Sequence, residues 1–340
     1  MNYISCNMSN FINKTKEKQI LCFGGGSYFR IMCCDMSNIY PNIKIVGVLD
    51  NDVSKSNQTI TAAGISTKII TIENALNKFD FAKTAIVITT AQLNVIKEQL
   101  TNIVEFENVD VYSYFDLKRN SVVLTEELCK NTDEPLIPKV IHYCWFGGNE
   151  LPEELQKCID SWKKFCFGWE IKQWNESNYD IYKNVFTQKA YELKKWAFIS
   201  DYARFDIIYN NGGIYFDTDV ELLKNPEILR YNRGFIGTEL IGGINSGSGL
   251  GAVKQHHILK KFMEMYENNP NFSKSFFSTN IGRETDFFYS IGYRLNGKIQ
   301  IIDGMAILPY YILTHKTFET GEIFANDKTV SVHHLDGSWR

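Results

Sequence analysis

Two aspartates one residue apart, Asp217 and Asp219, end the apolar run in "GGIYFDTDVELL", residues 212 to 223. Alternation along an extended chain places both carboxylates on the same side. Neighbouring oxygen ligands of this kind suit Mg²⁺ or Mn²⁺, which bind through carboxylates and phosphate oxygens. A solvated turn after a strand has the same residue types, so the surrounding sequence must decide between a metal site and a turn.

A helical segment precedes these aspartates. Residues 193–209 have apolar or small side chains at helical spacing, and the Asn-Gly-Gly at 211–213 supplies a stop. Asp201 and Arg204 are three residues apart and share a face of this helix. Their neighbours "AFIS" and "YARF" are apolar, which favours the wall of a partly buried cleft over an exposed ion pair. There the carboxylate could accept from sugar hydroxyls, and the guanidinium could donate to hydroxyl or phosphate oxygens.

The elements that must position these groups form two α/β domains. Short β-branched runs alternate with helical segments over residues 1–118, which predicts a small Rossmann-like parallel-sheet domain. The polar stretch 119–137 is predicted to be a linker. A second α/β domain, 138–340, contains the aspartates.

A glycine-rich loop, "CFGGGSYF", follows the first strand of the N-terminal domain and opens a helix. Gly24 and Gly26 could bring backbone N–H groups to a phosphate, and Asp50 ends the next strand where it could accept from a ribose hydroxyl. Phe29 stands where the full fingerprint has a third glycine. Nucleotide binding and a turn that merely requires glycine therefore both remain open.

Composition narrows the class of protein. The 340 residues are 44% hydrophobic and 22% charged, with a high aromatic content of 14% and a formal net charge of −3. No dense basic block appears, which argues against a nucleic-acid partner. The first twenty residues lack the apolar core of a signal peptide, and no run is long enough for a membrane span. Eight cysteines without CxxC spacing indicate free thiols, so we expect a cytoplasmic protein.

Three blocks, "IPKVIHYCWFGG", "SDYARFDIIYNNGGIYFDTDVELL" and "VHHLDGSW", resemble glycosyltransferase family 32, and more distantly the glucosyltransferase domains of clostridial toxins. The resemblance implies a GT-A fold and a metal-dependent, retaining sugar transferase that uses Mn²⁺ or Mg²⁺ and a nucleotide-sugar donor, with UDP favoured. It also implies a glycan or lipid-linked glycan acceptor in surface-polysaccharide biosynthesis. A lipid-linked acceptor would bring the protein to the inner membrane face as a peripheral protein.

The resemblance also implies roles for individual residues. The catalytic group comprises Asp201, Arg204, Asp217 and Asp219. The metal ligands are Asp219, Asp217 and His334, with the adjacent His333 as the alternative histidine. The donor contacts come from Trp145, Asp201, Arg204, Asp217, Asn245, Ser338 and Trp339. His142 alternates with apolar neighbours and is predicted to be structural, while Thr279, Arg283 or Asp286 could line the acceptor side.

Three other classes of protein share parts of this pattern. A haloacid-dehalogenase-type phosphatase also has D-x-D after a strand, but its motif has Thr or Val at the position where this chain has Glu221. A nicotinamide-dependent sugar-modifying enzyme could act through the N-terminal glycine loop, although no active-site set accompanies that loop. An inactive sugar-nucleotide-binding protein would have no need for the intact acidic and basic motifs. The sequence does not indicate an oligomeric state.

Overall fold

A computed structural model describes residues 1–121, 128, 130–268, 280–317, 321–323 and 325–335. The chain divides into two compact units, one formed by the described residues up to 121 and the other by those from 128 onward. Within these described ranges, no helix combines the length and the apolar character needed to cross a membrane.

The first unit contains a seven-stranded sheet in the order β1-β7-β6-β2-β3-β5-β4. All neighbouring strands are parallel except β4 and β5, which pair antiparallel. The strands are β1 Asn2–Tyr3, β2 Gln19–Phe23, β3 Ile45–Leu49, β4 Thr59–Ala62, β5 Ile65–Ile70, β6 Thr84–Ile88 and β7 Asp110–Ser113. The runs predicted as strands correspond to β2, β3, β6 and β7.

Helices connect these strands: α1 Met8–Thr15, α2 Ser27–Ile39, α3 Ile72–Lys78, α4 Leu93–Thr101 and α5 Tyr114–Arg119, with short 3-10 turns at Val53–Lys55, Phe81–Lys83 and Val104–Phe106. One side of the sheet is buried against α3 and α4, where Leu21, Ile86, Ile96 and Leu100 form part of the core. Burial of such side chains stabilises the unit by about 1.5–3 kcal/mol each.

The second unit has a mixed seven-stranded sheet in the order β14-β15-β12-β13-β10-β8-β9, and a three-stranded sheet in the order β11-β17-β16. The strands are β8 Val140–Cys144, β9 Glu170–Trp174, β10 Gly213–Tyr215, β11 Val220–Leu222, β12 Gly234–Thr238, β13 Ile244–Ala252, β14 Gln300–Ile302, β15 Met305–Leu308, β16 Leu313–His315 and β17 Ser331–His333. Strands β9, β8 and β10 run parallel, and β13 pairs antiparallel with both β10 and β12.

The helices of this unit are α6 Glu153–Phe165, α7 Val185–Glu192, α8 Trp196–Asn211, α9 His257–Asn268 and α10 Asn280–Ser290, with 3-10 turns at Ile181–Lys183 and Glu227–Arg230. The predicted helix 193–209 is thus shifted. It begins later because Lys194 has φ +54° and turns the chain between α7 and α8. It ends at Gly212, which has φ +67° and whose N–H donates to the carbonyl of Ile208 at 2.8 Å.

The predicted α/β class is confirmed, with a parallel-rich sheet in the first unit and a mixed sheet in the second. Strands β8 and β10 are the elements that matter for the site. Their parallel pairing brings their carboxyl ends to one sheet edge, which is where ligands bind in open α/β sheets.

Candidate active site

The predicted site residues Trp145 and Asp217 follow the adjacent strands β8 and β10. Tyr215 pairs with His142 in the register of these strands, so both chains leave the sheet at the same edge. Phe216 is buried and anchors the chain just before Asp217. The apolar run is therefore a buried strand, and the acids that follow it lie at the sheet edge, as the sequence predicts.

Three side chains converge where β10 ends. Ligand atoms of Asp217, Asp219 and His333 all lie within 4.8 Å of one another. The Nε2 atom of His333 lies 3.1 Å from Asp219 Oδ1. Its Nδ1 atom is buried and has no hydrogen-bond partner among the residues that the structure describes. Two carboxylates and one imidazole form a donor set that fits a divalent cation such as Mn²⁺.

The histidine of this cluster is His333, whereas the resemblance placed His334 in the metal site. His333 ends β17, which pairs antiparallel with β11 directly after the aspartates. His334 is directed elsewhere, and its Nε2 lies 3.0 Å from Glu221 Oε2. Successive residues of an extended chain point to opposite sides, so only one of two adjacent histidines can join the cluster.

Arg204 connects the two predicted carboxylate groups. Its Nη2 atom lies 3.0 Å from Asp201 Oδ1 and 3.2 Å from Asp217 Oδ1. Its Nη1 donates to Ser246 Oγ at 3.1 Å, and its Nε donates to the carbonyl of Ser200 at 3.1 Å. The guanidinium is buried, so these partners fix both its place and its orientation.

Burial sets the charge states around Arg204. It raises the pKa of Asp201 to about 6, an effect that Arg204 opposes. Burial also raises the pKa of Glu284 to about 8, again with Arg204 acting in the opposite direction. For Arg204, burial favours a lower pKa, but Asp217, Tyr215 and Asp201 outweigh it, so the pKa is raised and the guanidinium stays charged.

A bulge in β13 forms another wall of the site. Ile236 pairs with Leu250 but the next residue, Gly237, pairs with Asn245, so residues 246–249 loop out of register. This bulge places Gly247 against the cluster of Asp217, Asp219 and His333, where the carbonyl of Gly247 accepts from the N–H of Asp217 at 3.1 Å.

Asn245, which the resemblance placed on the donor, is buried beneath this bulge. Its Oδ1 accepts from the N–H groups of Gly247 at 3.0 Å and Ser248 at 3.3 Å, and its Nδ2 donates to Glu239 at 3.3 Å. Both ends of the carboxamide are therefore engaged within the protein. The structure gives Asn245 a role in shaping the bulge, and its contact with a donor stays a prediction.

Trp145 is half-buried, and its Nε1 donates to the carbonyl of Asn149 at 2.7 Å. The prediction that His142 is structural is confirmed. Its Nε2 bonds the carbonyl of Gly212 at 2.9 Å, its Nδ1 accepts from Trp174 at 3.1 Å, and burial lowers its pKa to about 4.

Five further residues of this domain were predicted to contact the donor or the acceptor. Ser338, Trp339 and Thr279 fall outside the described residues. Arg283 is buried with its guanidinium carbon 4.8 Å from the ring centroid of Tyr266. Asp286 is half-buried on α10, and the predicted acceptor contacts of Arg283 and Asp286 stay predictions.

In the first unit, local structure accounts for the glycine-loop residues. Gly24 has φ +103°, and an ideal Cβ there would lie 3.0 Å from the carbonyl oxygen of Thr89. Gly26 directly precedes α2. Asp50 accepts from the N–H of Asp52 at 2.9 Å and pairs with Lys55 at 3.3 Å. Nucleotide binding by this loop stays a prediction.

Sequence reasoning missed four residues that shape the site: Tyr215, Ser246, Gly247 and Glu284. Tyr215 donates to Asp217 Oδ1 at 2.9 Å, and its position two residues before Asp217 on a strand was a usable signal. The other three come together only through the bulge of β13 and the contact of this bulge with α10. No local sequence pattern predicts that contact.

Comparisons with known proteins point to one class of enzyme. Residues 152–235 match the family described as a glycosyltransferase sugar-binding region containing a DXD motif. An uncharacterized glycosyltransferase of Acanthamoeba polyphaga mimivirus is 35% identical over 96 residues, which are 26% of this chain and 38% of that protein. Inositol phosphoceramide mannosyltransferase 1 of Schizosaccharomyces pombe is 30% identical over 150 residues, which are 38% of this chain and 45% of that protein. These matches support the predicted transferase class.

A solved structure, PaToxG Glycosyltransferase, aligns with 45% of this chain and 69% of its own, at 17% identity and a TM-score of 0.36. The chain spans less than half the length of the named relatives that it matches.

Proposed function

We propose that this protein is a metal-dependent, retaining glycosyltransferase of the family 32 type. It moves a sugar from a nucleotide-sugar donor, a UDP-sugar in the first instance, to a glycan or lipid-linked glycan acceptor. The observation that carries the proposal is the convergence of Asp217, Asp219 and His333 within 4.8 Å, beside the buried Arg204. The match of residues 152–235 to a DXD glycosyltransferase region supports it.

The residues present fit a divalent cation held by Asp217, Asp219 and His333. Bound there, such a cation would supply positive charge that stabilises the negative charge on the departing nucleotide diphosphate. The two carboxylates suit both Mg²⁺ and Mn²⁺, and the imidazole nitrogen of His333 favours Mn²⁺ over the harder Mg²⁺.

The other groups act on the sugar. Asp201, whose pKa is about 6, is ionised at neutral pH and can accept from sugar hydroxyls. Arg204 keeps its charge and holds the carboxylates of Asp201 and Asp217 in place. These carboxylates therefore need no reorganisation when the donor binds. Trp145 offers an aromatic face for the base of the nucleotide at the shared edge of β8 and β10. Retention fits attack from the same face, with the leaving phosphate accepting the acceptor's proton.

The acceptor is proposed as a glycan carried on a lipid. Two relatives are named inositol phosphoceramide mannosyltransferases, which act on a lipid-linked substrate by name. Surface-polysaccharide synthesis at the inner membrane face would present an acceptor of the same chemical kind. The protein would then be cytoplasmic and reach the membrane as a peripheral protein.

A second candidate function uses the first unit. The strand order places β2 between β3 and β6, so the loops after β2 and β6 meet where the order of the sheet reverses. Open parallel sheets bind nucleotides at such a point. Gly24, Gly26 and Asp50 would then bind a nucleotide or nicotinamide cofactor for sugar binding or modification.

One experiment separates the two. Hydrolysis and binding are measured across a panel of nucleotide sugars with Mn²⁺, with Mg²⁺ and with EDTA, for the wild type, Asp219→Ala and Asp50→Ala. Asp50 is the matched control because it also belongs to a D-x-D sequence, Asp50-Asn51-Asp52, after a parallel strand.

The proposal expects one sugar nucleotide to turn over with metal, and expects Asp219→Ala, but not Asp50→Ala, to abolish that turnover. Nucleotide-sugar binding that is independent of metal and of Asp219, but is lost in Asp50→Ala, would refute the proposal and favour a binding site in the first unit.

A further inference from the structure

Glu284 is a fully buried acid on α10 that the transfer chemistry above does not use. Both of its oxygens are engaged by a single residue of the β13 bulge. The N–H of Ser246 donates to Oε2 at 2.9 Å, and the hydroxyl of Ser246 donates to Oε1 at 2.7 Å. Burying a carboxyl group without hydrogen bonds lowers the folding stability, so the two bonds from Ser246 are needed to keep Glu284 in this position.

The bulge of residues 246–249 has no ladder partners on β12 to hold it, because the register jumps across it. Two anchors replace the ladder. Asn245 binds the bulge from within, through the N–H groups of Gly247 and Ser248. Glu284 binds it from α10, through the N–H and the hydroxyl of Ser246.

The anchored serine also holds Arg204. The same Ser246 oxygen that bonds Glu284 accepts from Arg204 Nη1 at 3.1 Å. The opposite nitrogen of the guanidinium, Nη2, bonds Asp201 and Asp217. A continuous chain of bonds therefore runs from α10 through the bulge to the two carboxylates of the site. It is kept whether Glu284 is ionised or protonated, since a carboxylic acid can reverse its bond to a hydroxyl.

We propose that Glu284 is a positioning residue: through Ser246 it fixes the guanidinium of Arg204 between Asp201 and Asp217. The inference rests on the proposed function for its kinetic consequence, but the placement of Arg204 can be measured without it. A role confined to fold stability is the competing account. Positioning differs from it because the effect of removing Glu284 must depend on Arg204.

The kinetic test is a double-mutant cycle between Glu284→Met, which removes both oxygens at nearly constant side-chain length, and Arg204→Lys, which keeps the positive charge. Donor hydrolysis is followed as kcat and KM, with melting temperature and Mn²⁺ affinity measured on each variant. Asp206→Asn is the matched control, because Asp206 is a buried acid on α8 that pairs with Lys183 at 2.6 Å.

Glu284→Met is expected to lower kcat about tenfold with KM and Mn²⁺ affinity within about twofold, and to add less than about twofold to Arg204→Lys, because effects on coupled residues do not add. Glu284→Gln, whose carboxamide can accept from the N–H of Ser246 and donate to its hydroxyl oxygen, is expected to keep kcat within about twofold of wild type. Asp206→Asn is expected to change the melting temperature and leave kcat within about twofold. Equal losses from Glu284→Met in both backgrounds would overturn the proposal.

A second measurement does not depend on transfer. The Nε–H signal of Arg204 in a ¹H–¹⁵N spectrum, assigned by its loss in Arg204→Lys, is compared in the wild type, Glu284→Met and Asp206→Asn. Positioning predicts that the signal shifts or broadens only in Glu284→Met. An unmoved signal refutes it. A wild type that hydrolyses no nucleotide sugar, yet shows the shift, would instead leave Glu284 positioned as inferred and remove the proposed function.

Discussion

Gly247 offers a test of how closely the β13 bulge must approach the cluster of Asp217, Asp219 and His333. An ideal Cβ at this position would lie far inside van der Waals distance of Asp217 Oδ2, and 3.1 Å from Asp217 Cγ. It would also come within 3.2 Å of Arg204 Nη1. Backbone strain does not enter, because Gly247 has no positive φ. Gly247→Ala therefore acts by crowding the site, mainly by pushing the Asp217 carboxylate away and to a lesser degree by its contact with Arg204 Nη1.

The required movement of the carboxylate is on the order of 1 Å, and a misplacement of that size in a catalytic group costs about 10²-fold in rate. That loss equals about 2.7 kcal/mol of transition-state stabilisation. Crowding of a packed site costs a further ~1–3 kcal/mol of folding stability. We therefore expect Gly247→Ala to fold, to melt several degrees lower, and to hydrolyse the donor about 10²-fold more slowly.

The assay is metal-dependent hydrolysis of the donor sugar nucleotide, together with Mn²⁺ affinity from the electron paramagnetic resonance of free Mn²⁺. Gly47→Ala is the matched control, because its Cβ would also be crowded, at 3.0 Å, but only by methyl groups of Ile70 and Leu21 in the first unit. It should lose stability and keep activity. If Gly247→Ala retained activity within about threefold of wild type, the argument that the bulge sets the position of Asp217 would be refuted.

Three further outcomes follow from the geometry. His333→Ala should weaken Mn²⁺ binding at least about tenfold, while His334→Ala should change it less than about twofold, since only the former ring lies in the cluster; equal effects in a Mn²⁺ titration would contradict the assignment. Asp201, whose pKa burial raises to about 6, must be ionised to act, so kcat/KM should fall about tenfold per pH unit below 6. A profile that stays flat from pH 7 to 5 would exclude that role. Gly213→Ala should lower the melting temperature by several degrees, because Gly213 has φ +105° and its Cβ would lie 2.8 Å from the carbonyl oxygen of Val140. Gly148→Ala, at φ +68° with open space, is the control for backbone strain alone, and an equal loss there would refute the steric part.

The sequence alone determined the features that depend on local spacing. Alternation put Asp217 and Asp219 after a buried strand, and helical periodicity put Asp201 and Arg204 on one face of a helix. Both features have the predicted local setting, because strand and helix periodicities fix side-chain direction within a few residues. The βαβ pattern likewise predicted the parallel sheet of the first unit.

Tertiary structure decided the features that depend on register between distant segments. Pairing of β11 with β17 selected His333 over His334, which are adjacent in sequence and chemically identical. The jump in register between β12 and β13 pushed Gly247 against Asp217 and turned Asn245 inward. Contact of α10 with that bulge brought in Glu284, which no motif marks. A shift of one residue in a strand reverses every side chain, so these choices belong to the packed sheet and not to any local stretch of sequence.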